Sequence, residues 1–432
     1  MHEPTLTDIN TKLKEIYDDL ADNVTYIYGR QDLHLIIDLV YHSPLRFFYE
    51  KKLLRKAYPE VLIIGDTRTG KTQCAEALQA HYGVGILAGG ESMSFAGLVG
   101  GLQQLGKHWS CTWGKIPQNN RRLVIIDEAG GMNPDDIEKM SRVRSQGKAE
   151  ITKIQSQETE AWTRLIWLAN PKEAKTINQF SSGIEAVESL VKCPEDISRW
   201  DAVLIVSKDE IPFSSMSSRN RVPVEHRYTA ELCKNLVLWS WTREPEEIEI
   251  TQEAEDECYK LAERMCKKYC SDFTLVNDSE QRKKIIRLAT ALASRLYSTP
   301  DGKKLIVFKS HVTYIYEFLN RIYDSKYFKY DTWSVNQLAG TRIIKREEVE
   351  AFCISIGPYG CGKFHEQRTM RLQDIENYLG ISHDEAKAKL STLLLNNAMS
   401  RDKGDNYKKT PEFNQMLREY SDIHREVPTK EF

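Results

Sequence analysis

Apolar residues recur at helical spacing near the start of the chain, at Leu6, Ile9, Leu13, Ile16 and Leu20, with charged residues between them. The pattern predicts an amphipathic helix over about residues 6–22. Gly29 breaks it, and a second helix rich in leucine and isoleucine runs to about Tyr41, where Ser43-Pro44 interrupts. A basic segment, Lys51 to Lys56, leads onward. The pattern then changes to continuous apolar runs at Val61 to Ile64, Leu123 to Ile126 and Ala202 to Val206, with another buried strand read at Thr163 to Asn170 and a short strand ending in a Gly-Gly turn at Val84 to Gly90. Runs of this length without alternation read as strands of a parallel sheet covered on both faces. Between the Leu123 and Thr163 runs, Ile137 to Val143 starts as a helix. Lys148 to Ile154 alternates as a strand does, so a strand pair is expected there. From about Thr251 to Tyr323 the spacing is helical throughout, with stripes such as Ile285, Leu288, Leu292 and Leu296. An aromatic and charged stretch, about Asp324 to Thr341, reads as a linker. The last segment has a short helix, Leu372 to Leu379, a turn at Gly380, and a capping box, Ser382-His-Asp-Glu385, opening a helix to Asn396. Met399 to Lys409 follows with the turn residues and basic flanks of a β-hairpin wing. The expected organisation is N-terminal helices (1–57), an α/β core (58–245), a helical domain (246–323), a linker (324–345) and a winged helix-turn-helix (346–432).

Composition narrows this picture only a little. A chain of 432 residues is too long for one compact core, and 28% charged with 41% apolar residues leaves no case for wholesale disorder. The formal net charge of −2 gives no global attraction for nucleic acid, so any such surface must be local. No run approaches the ~20 apolar residues of a membrane span, and Met-His-Glu-Pro lacks a signal-peptide profile, so a cytoplasmic protein with no membrane partner is expected. The nine cysteines suit reduced thiols. Cys266 and Cys270 stand four apart, but no second pair or nearby histidine completes a zinc site.

Candidate chemistry changes the picture most. From Gly65 to Thr72 the letters fit G-x-x-x-x-G-K-[ST], directly after a strand and directly before a helix. Gly65, Asp66, Thr67, Arg68, Thr69, Gly70, Lys71 and Thr72 thus form a candidate phosphate loop for ATP. In such a loop successive N–H groups converge on phosphate, Lys71 carries charge to the outer phosphates and Thr72 offers a hydroxyl to Mg²⁺. The Leu123 run ends in Asp127-Glu128. Asp127 at the carboxyl edge of the sheet is placed to hold the same Mg²⁺, and Glu128 to orient and deprotonate an attacking water. Asn170 ends its own strand in the same way and can position that water. Arg199 lies before the Ala202 strand, at the wrong end for its own subunit's nucleotide but in reach of a neighbour's. The tract Lys107 to Lys115, with two tryptophans, reads as an exposed insertion. Trp109 and Trp113 then serve either a ligand or neighbour contact, or simple burial against the domain.

Six blocks in order now carry a resemblance: Ile27-Tyr-Gly29, the phosphate loop, Glu91-Ser-Met-Ser-Phe-Ala-Gly-Leu-Val, Ile125-Ile-Asp-Glu128, Leu168-Ala-Asn-Pro171 and Ile197-Ser-Arg-Trp-Asp201. Together they resemble the minichromosome maintenance (MCM) type of AAA+ helicase, especially the smaller MCM-like proteins of mobile elements. The resemblance implies an α/β AAA+ P-loop ATPase core with a parallel sheet, a helical lid and a C-terminal winged helix-turn-helix. It implies Asn170 as sensor 1, Arg199 as an arginine finger acting in trans, Lys107 to Lys115 as the helix-2 insert and Glu150 to Gln157 as the pre-sensor 1 hairpin. Lys153 falls within one residue of the family's hairpin lysine. Three departures stand out. The family's loop commonly has alanine where this chain has Gly70 and a small residue where it has Arg68. At the spacing of the sensor 2 arginine the chain has Glu280, with Arg282 two residues later as the substitute. Little more than one helix precedes Ile27, so the family's oligonucleotide-binding and zinc-bearing N-terminal domain is not expected in this chain; it belongs either to a longer parent chain or to a separate N-terminal or replication-initiator partner protein.

The expectation is therefore a homohexameric ATPase, with ATP and Mg²⁺ as cofactors, that translocates on single-stranded DNA held in its pore. Lys71, Asp127, Glu128, Asn170, Arg199 and Arg282 are its catalytic candidates, and Thr72 and Asp127 its metal ligands. Lys153, Lys107, Lys115, Lys408 and Lys409 are its DNA contacts. The wing lysines serve DNA or the wing docks a protein. Two rivals are an AAA+ ATPase that loads or remodels a nucleoprotein partner, and a DNA-binding scaffold with a silent nucleotide site. The second is weakened by the presence of Lys71, Asp127, Glu128 and Arg199 together.

Overall fold

The computed structural model describes residues 2–89, 94–105, 108–152, 156–172, 175–212, 215, 221–269, 273–338, 346–367, 369–396, 398–401 and 406–423. The chain divides into two units, residues 1–334 and 335–432. In the first, five parallel strands stand in the order Ala202–Val206, Val61–Gly65, Arg164–Ala169, Leu123–Asp127 and Ile86–Gly89. All residues of the first three are buried, Arg164 included, which is why the apolar residues of each run without alternation. Because the strands are parallel, their carboxyl ends share one edge, and Gly65, Asp127 and Asn170 all emerge there. Gly65 is required by that packing. A Cβ on it would meet the Val206 carbonyl oxygen at 2.0 Å.

Helices cover this sheet. Leu6–Leu20 opens on a reciprocal capping box between Thr5 and Asp8, and widens into a single π turn, Ala21–Thr25, closed by Tyr26 at φ 55°. The next helix, Gln31–Tyr41, is buried from Leu33 to Tyr41 against the sheet and the helix Gln281–Arg295. The basic segment after it is a hairpin, Phe47–Tyr49 with Lys52–Leu54. Its two turn residues, Glu50 and Lys51, sit at φ 49° and 60°, the geometry of a tight hairpin turn. Three-residue strands with charges at the tip left no alternation to read.

Two further hairpins leave the sheet. One pairs Gly100–Leu105 with His108–Trp113, the other Lys148–Thr152 with Ser156–Glu160. They are neighbours, since a Cβ on Gly100 would meet the Ile151 side chain at 2.9 Å.

Helices Gln252–Tyr269, Gln281–Arg295 and Lys309–Tyr323 pack together. The expectation of helix throughout this region needs correction, because a parallel pair, Ile248–Ile250 with Leu305–Val307, frames the group. The supposed linker is also partly core. Phe328 and Tyr330 are buried with Tyr269, Phe273 and Tyr323 in one cluster of rings, with centroids 4.9–6.3 Å apart. Aromatic side chains carry too much apolar area to sit in a solvated connector.

The second unit has its own core of Phe352, Phe364, Ile375, Leu390, Phe413 and Leu417. Helix Arg346–Glu366 is broken at Gly357 (φ 68°) and Pro358, and Pro411–Ile423 packs along it. Leu372–Leu379 ends at Gly380 (φ 62°), and the Ser382–Glu385 capping box opens His383–Leu395. An antiparallel sheet follows in the order Thr369–Met370, Tyr407–Lys409, Met399–Arg401.

Candidate nucleotide site

The loop after the Val61–Gly65 strand runs into the helix Lys71–Tyr82, whose N-cap, Gly70, takes φ 85°. Alanine there would be strained, and a Cβ would also meet Ile27 at 2.9 Å. Ile27 thus lies against the end of the loop.

Lys71 is the centre of the site. It is 6% exposed, and its Nζ donates to the carbonyls of Gly65 (2.8 Å) and Asp66 (2.7 Å), to Thr69 Oγ1 (3.2 Å) and to Asn170 Oδ1 (3.1 Å). Burial pushes its ammonium down to about 8, against the pull of Asp66 and Asp127 and with the help of nearby Arg30. Thr72 Oγ1 donates to Asp127 Oδ1 at 3.1 Å. The same carboxylate oxygen accepts the Glu128 N–H at 2.9 Å. Glu128 is exposed and held at φ 54°. Strand ends separated by about a hundred residues thus converge within hydrogen-bond distance of one another. Thr72 and Asp127 supply the hard oxygen donors that suit Mg²⁺.

The loop side chains divide their work. Asp66 is buried and bound by Ile177 N (2.7 Å), Lys208 N (2.9 Å) and Ser207 Oγ (3.3 Å), so its carboxylate ties down the segments after two neighbouring strands and offers nothing to a ligand. Thr69 is buried and turned onto the Asp66 carbonyl at 2.8 Å. Thr67 and Arg68 are exposed, with Arg68 at φ 60°.

Sequence reading missed two supports. Arg30, 6% exposed, binds Glu210 and the Ser207 carbonyl (2.7 Å), linking the N-terminal helices to the sheet edge beside Lys71. Gly130 lets the turn after Glu128 close on Asn170, whose carbonyl oxygen would lie 2.8 Å from a Cβ. A glycine required by an approach from another strand has no signature along the chain.

The remaining candidates lie away from Lys71. Arg199 caps the helix Pro194–Ser198, before the strand Ala202–Val206 and so towards the opposite edge of the sheet. Its guanidinium binds the Glu195 carbonyl (2.8 Å), Asp196 Oδ1 (3.2 Å) and Ser141 Oγ (2.5 Å). Arg282 pairs with Glu50 at 2.6 Å and stands over the Tyr259 ring. Five residues on, Arg287 reaches Asp201 at 2.9 Å. Lys115 starts a short helix and is half-buried. Trp109 is 39% exposed whereas Trp113 packs on the core, so burial against the domain holds for Trp113 and not for Trp109. Lys107 and Lys153 lie outside the described residues, as do Glu91, Ser92 and Met93. In the second unit Lys408 is exposed. Lys409 is a correction. It is 9% exposed, and its ammonium donates to the carbonyls of Phe364 and His365 (3.0 Å for the latter), which withdraws it from contact with DNA. Its position on the inward face of the sheet decides this, and burial lowers its ammonium to about 8. Among the described residues no group of three or more His, Cys, Asp or Glu forms a metal cluster, Cys266 is buried, and no helix is long and apolar enough to cross a membrane.

A phosphate loop closing one strand of a parallel sheet, with carboxylate and amide from the two strands beyond it, defines the core of a P-loop ATPase. Residues 4–213 match the family described as the MCM P-loop domain, and this stretch of the chain is an MCM-type AAA+ P-loop domain. No curated protein matches the chain.

Proposed function

We propose that the protein is a homohexameric, ATP-driven helicase that moves along single-stranded DNA and unwinds duplex, in the replication of a mobile element. What carries this reading is the meeting of Lys71, Thr72, Asp127 and Asn170 at one sheet edge while Arg199 stands before the start of a strand of the same sheet. One subunit then supplies all of the site but the arginine, and hydrolysis requires a neighbour. ATP phosphates would replace the loop carbonyls as partners of Lys71. Thr72 and Asp127 would hold Mg²⁺, which screens charge on the outer phosphates. Glu128 takes the proton of the attacking water, Asn170 aligns that water, and the neighbour's Arg199 stabilises the charge of the transition state. Helices Gln252–Tyr269 to Lys309–Tyr323 act as the lid, with Arg282 as a sensor from that lid, and the second unit acts as a winged helix with Lys408 towards DNA. Lys153, Lys107 and Lys115 would track the phosphates of the strand in the pore.

The test is a strand-displacement assay on forked DNA, run beside ATP turnover, on the wild type, Glu128→Gln and Lys153→Ala. Wild type should unwind only with ATP, Glu128→Gln should bind nucleotide without turnover, and Lys153→Ala should hydrolyse ATP without unwinding. ATP turnover with no displacement by the wild type favours the loader or remodeller instead.

A further inference from the structure

We propose that Ser141 and Asp196 are positioning residues that hold Arg199 back from the neighbouring subunit's nucleotide, and that the hairpin Lys148–Thr152 with Ser156–Glu160 governs the grip of Ser141. The proposal rests on the reading of Arg199 as a residue that acts in trans.

Arg199 is gripped by two side chains, those of Asp196 and Ser141. Asp196 is a fixed post. Its Oδ1 meets Arg199 Nη1 at 3.2 Å and Arg144 Nη1 at 3.3 Å, and its carbonyl accepts Arg144 Nη2 at 3.0 Å. Arg144 is fully buried between the Trp167 and Trp200 rings, 5.2 and 4.9 Å from their centroids, and its Nε binds Glu60 Oε1 at 2.6 Å. Glu60 in turn takes Trp167 Nε1 at 3.0 Å, so the post is anchored on the strands that lead to Lys71 and to Asn170.

Ser141 sits at the start of the helix that carries Arg144, at the end tied to a hairpin. It begins the helix Ser141–Gln146, and the next residue, Arg142, forms ion pairs with both Glu150 and Glu158. Those two glutamates face each other across the hairpin, one on each strand. Arg142 is therefore a clamp over both strands, one residue from the hydroxyl that holds Arg199. Arg144 belongs to the same helix, so a displacement of the hairpin pulls on Arg142 and with it on Ser141 at the start of that helix, which turns about the buried Arg144 that keeps Asp196 in place.

The gripped pose also leaves polar groups unserved. Arg199 Nε and Asp196 Oδ2 are buried and without a hydrogen-bond partner. A guanidinium that leaves one donor unsatisfied has a better partner in a phosphate, so the held and extended poses compete closely. Removing one hydrogen bond to a charged group shifts such a balance by about tenfold. In the assembled ring the hairpin's engagement with DNA would thus release Arg199 towards the next subunit, and turnover would follow DNA.

The experiment is ATP turnover by the full chain, with and without a single-stranded oligonucleotide, in the wild type, Ser141→Ala, Ser141→Thr and Arg142→Gln. Ser141→Ala should raise DNA-independent turnover and lower the stimulation ratio by about tenfold, or to unity where the wild-type ratio is smaller. KM for ATP should stay unchanged, because the Ser141 side chain binds no residue of the phosphate loop. Ser141→Thr, which keeps the hydroxyl, should restore the wild-type ratio. Arg142→Gln, at a part-exposed side chain that folding can spare, should lower the ratio with no change in thermal midpoint. A wild-type ratio in either Ser141→Ala or Arg142→Gln, in a protein that needs Arg199 for turnover, overturns the coupling and leaves the helicase reading intact. A wild type indifferent to DNA overturns the coupling alone, and undiminished turnover by Arg199→Ala overturns the trans reading and the coupling with it.

Discussion

Lys71 shows how far a residue's role depends on its surroundings. With its ammonium held at about 8 by burial, the free loop begins to lose the charge above that pH. Nucleotide phosphates favour the charged form, so binding takes up a proton wherever the free lysine is neutral. The sign is fixed: affinity should be level from about pH 7 to 8 and fall above it, by up to about tenfold per pH unit. Titration with a fluorescent nucleotide between about pH 7 and 9.5 reads this directly, and a flat profile would place the charge elsewhere. Lys408 and Lys409 make the same point about neighbours in sequence. Alternation along a strand sends Lys409 to the carbonyls that end the Arg346–Glu366 helix and leaves Lys408 outside. Lys409→Ala should destabilise the second unit by about 1–3 kcal/mol, and Lys408→Ala by less than about 0.5 kcal/mol, measured by hydrogen exchange of that unit in the full chain.

At the scale of elements, the site is an edge of the sheet rather than a loop. The phosphate loop is legible because its glycines, lysine and threonine lie within eight letters, and the next two strands because Leu123 to Ile126 and Leu165 to Ala169 are unbroken apolar runs each followed by a polar residue. What holds their ends together was not legible. Gly130 is one of those holds, and Gly130→Ala would force the Glu128 turn away from Asn170 by contact at 2.8 Å with its carbonyl oxygen. The expected result is a fall in kcat of about ten- to a hundredfold with little change in KM, since the phosphate contacts at Lys71 are untouched. An unchanged kcat would show that the turn and Asn170 need not stay in register. The short hairpin Phe47–Leu54 and the pair Ile248–Ile250 with Leu305–Val307 were also missed. Strands of three residues carry too few positions to show a period of two.

At the scale of the whole molecule, the prediction concerns mixtures. If Arg199 serves the neighbour, Arg199→Ala and Lys71→Ala subunits, each inactive alone, should regain turnover when mixed. One then supplies the loop and the other the arginine. Steady-state ATP turnover against mixing ratio should pass through a maximum, and a line of zero activity at every ratio would sink the shared site. The division of the chain into residues 1–334 and 335–432, each with its own apolar core, gives a companion expectation. A fragment of residues 1–334 should fold and hydrolyse ATP.

The sequence by itself determined the order of the five central strands along the chain, the phosphate loop, and the carboxylate and amide that meet it. Each of these is written in contiguous letters whose chemistry is local. Tertiary structure alone decided what crosses between segments: Asp66 spent on Ile177 and Lys208, Lys409 turned inward, Arg199 gripped by Ser141 from 58 residues upstream. A hydrogen bond between distant segments leaves no period and no motif in a single chain. Its geometry exists only once the strands have been laid side by side.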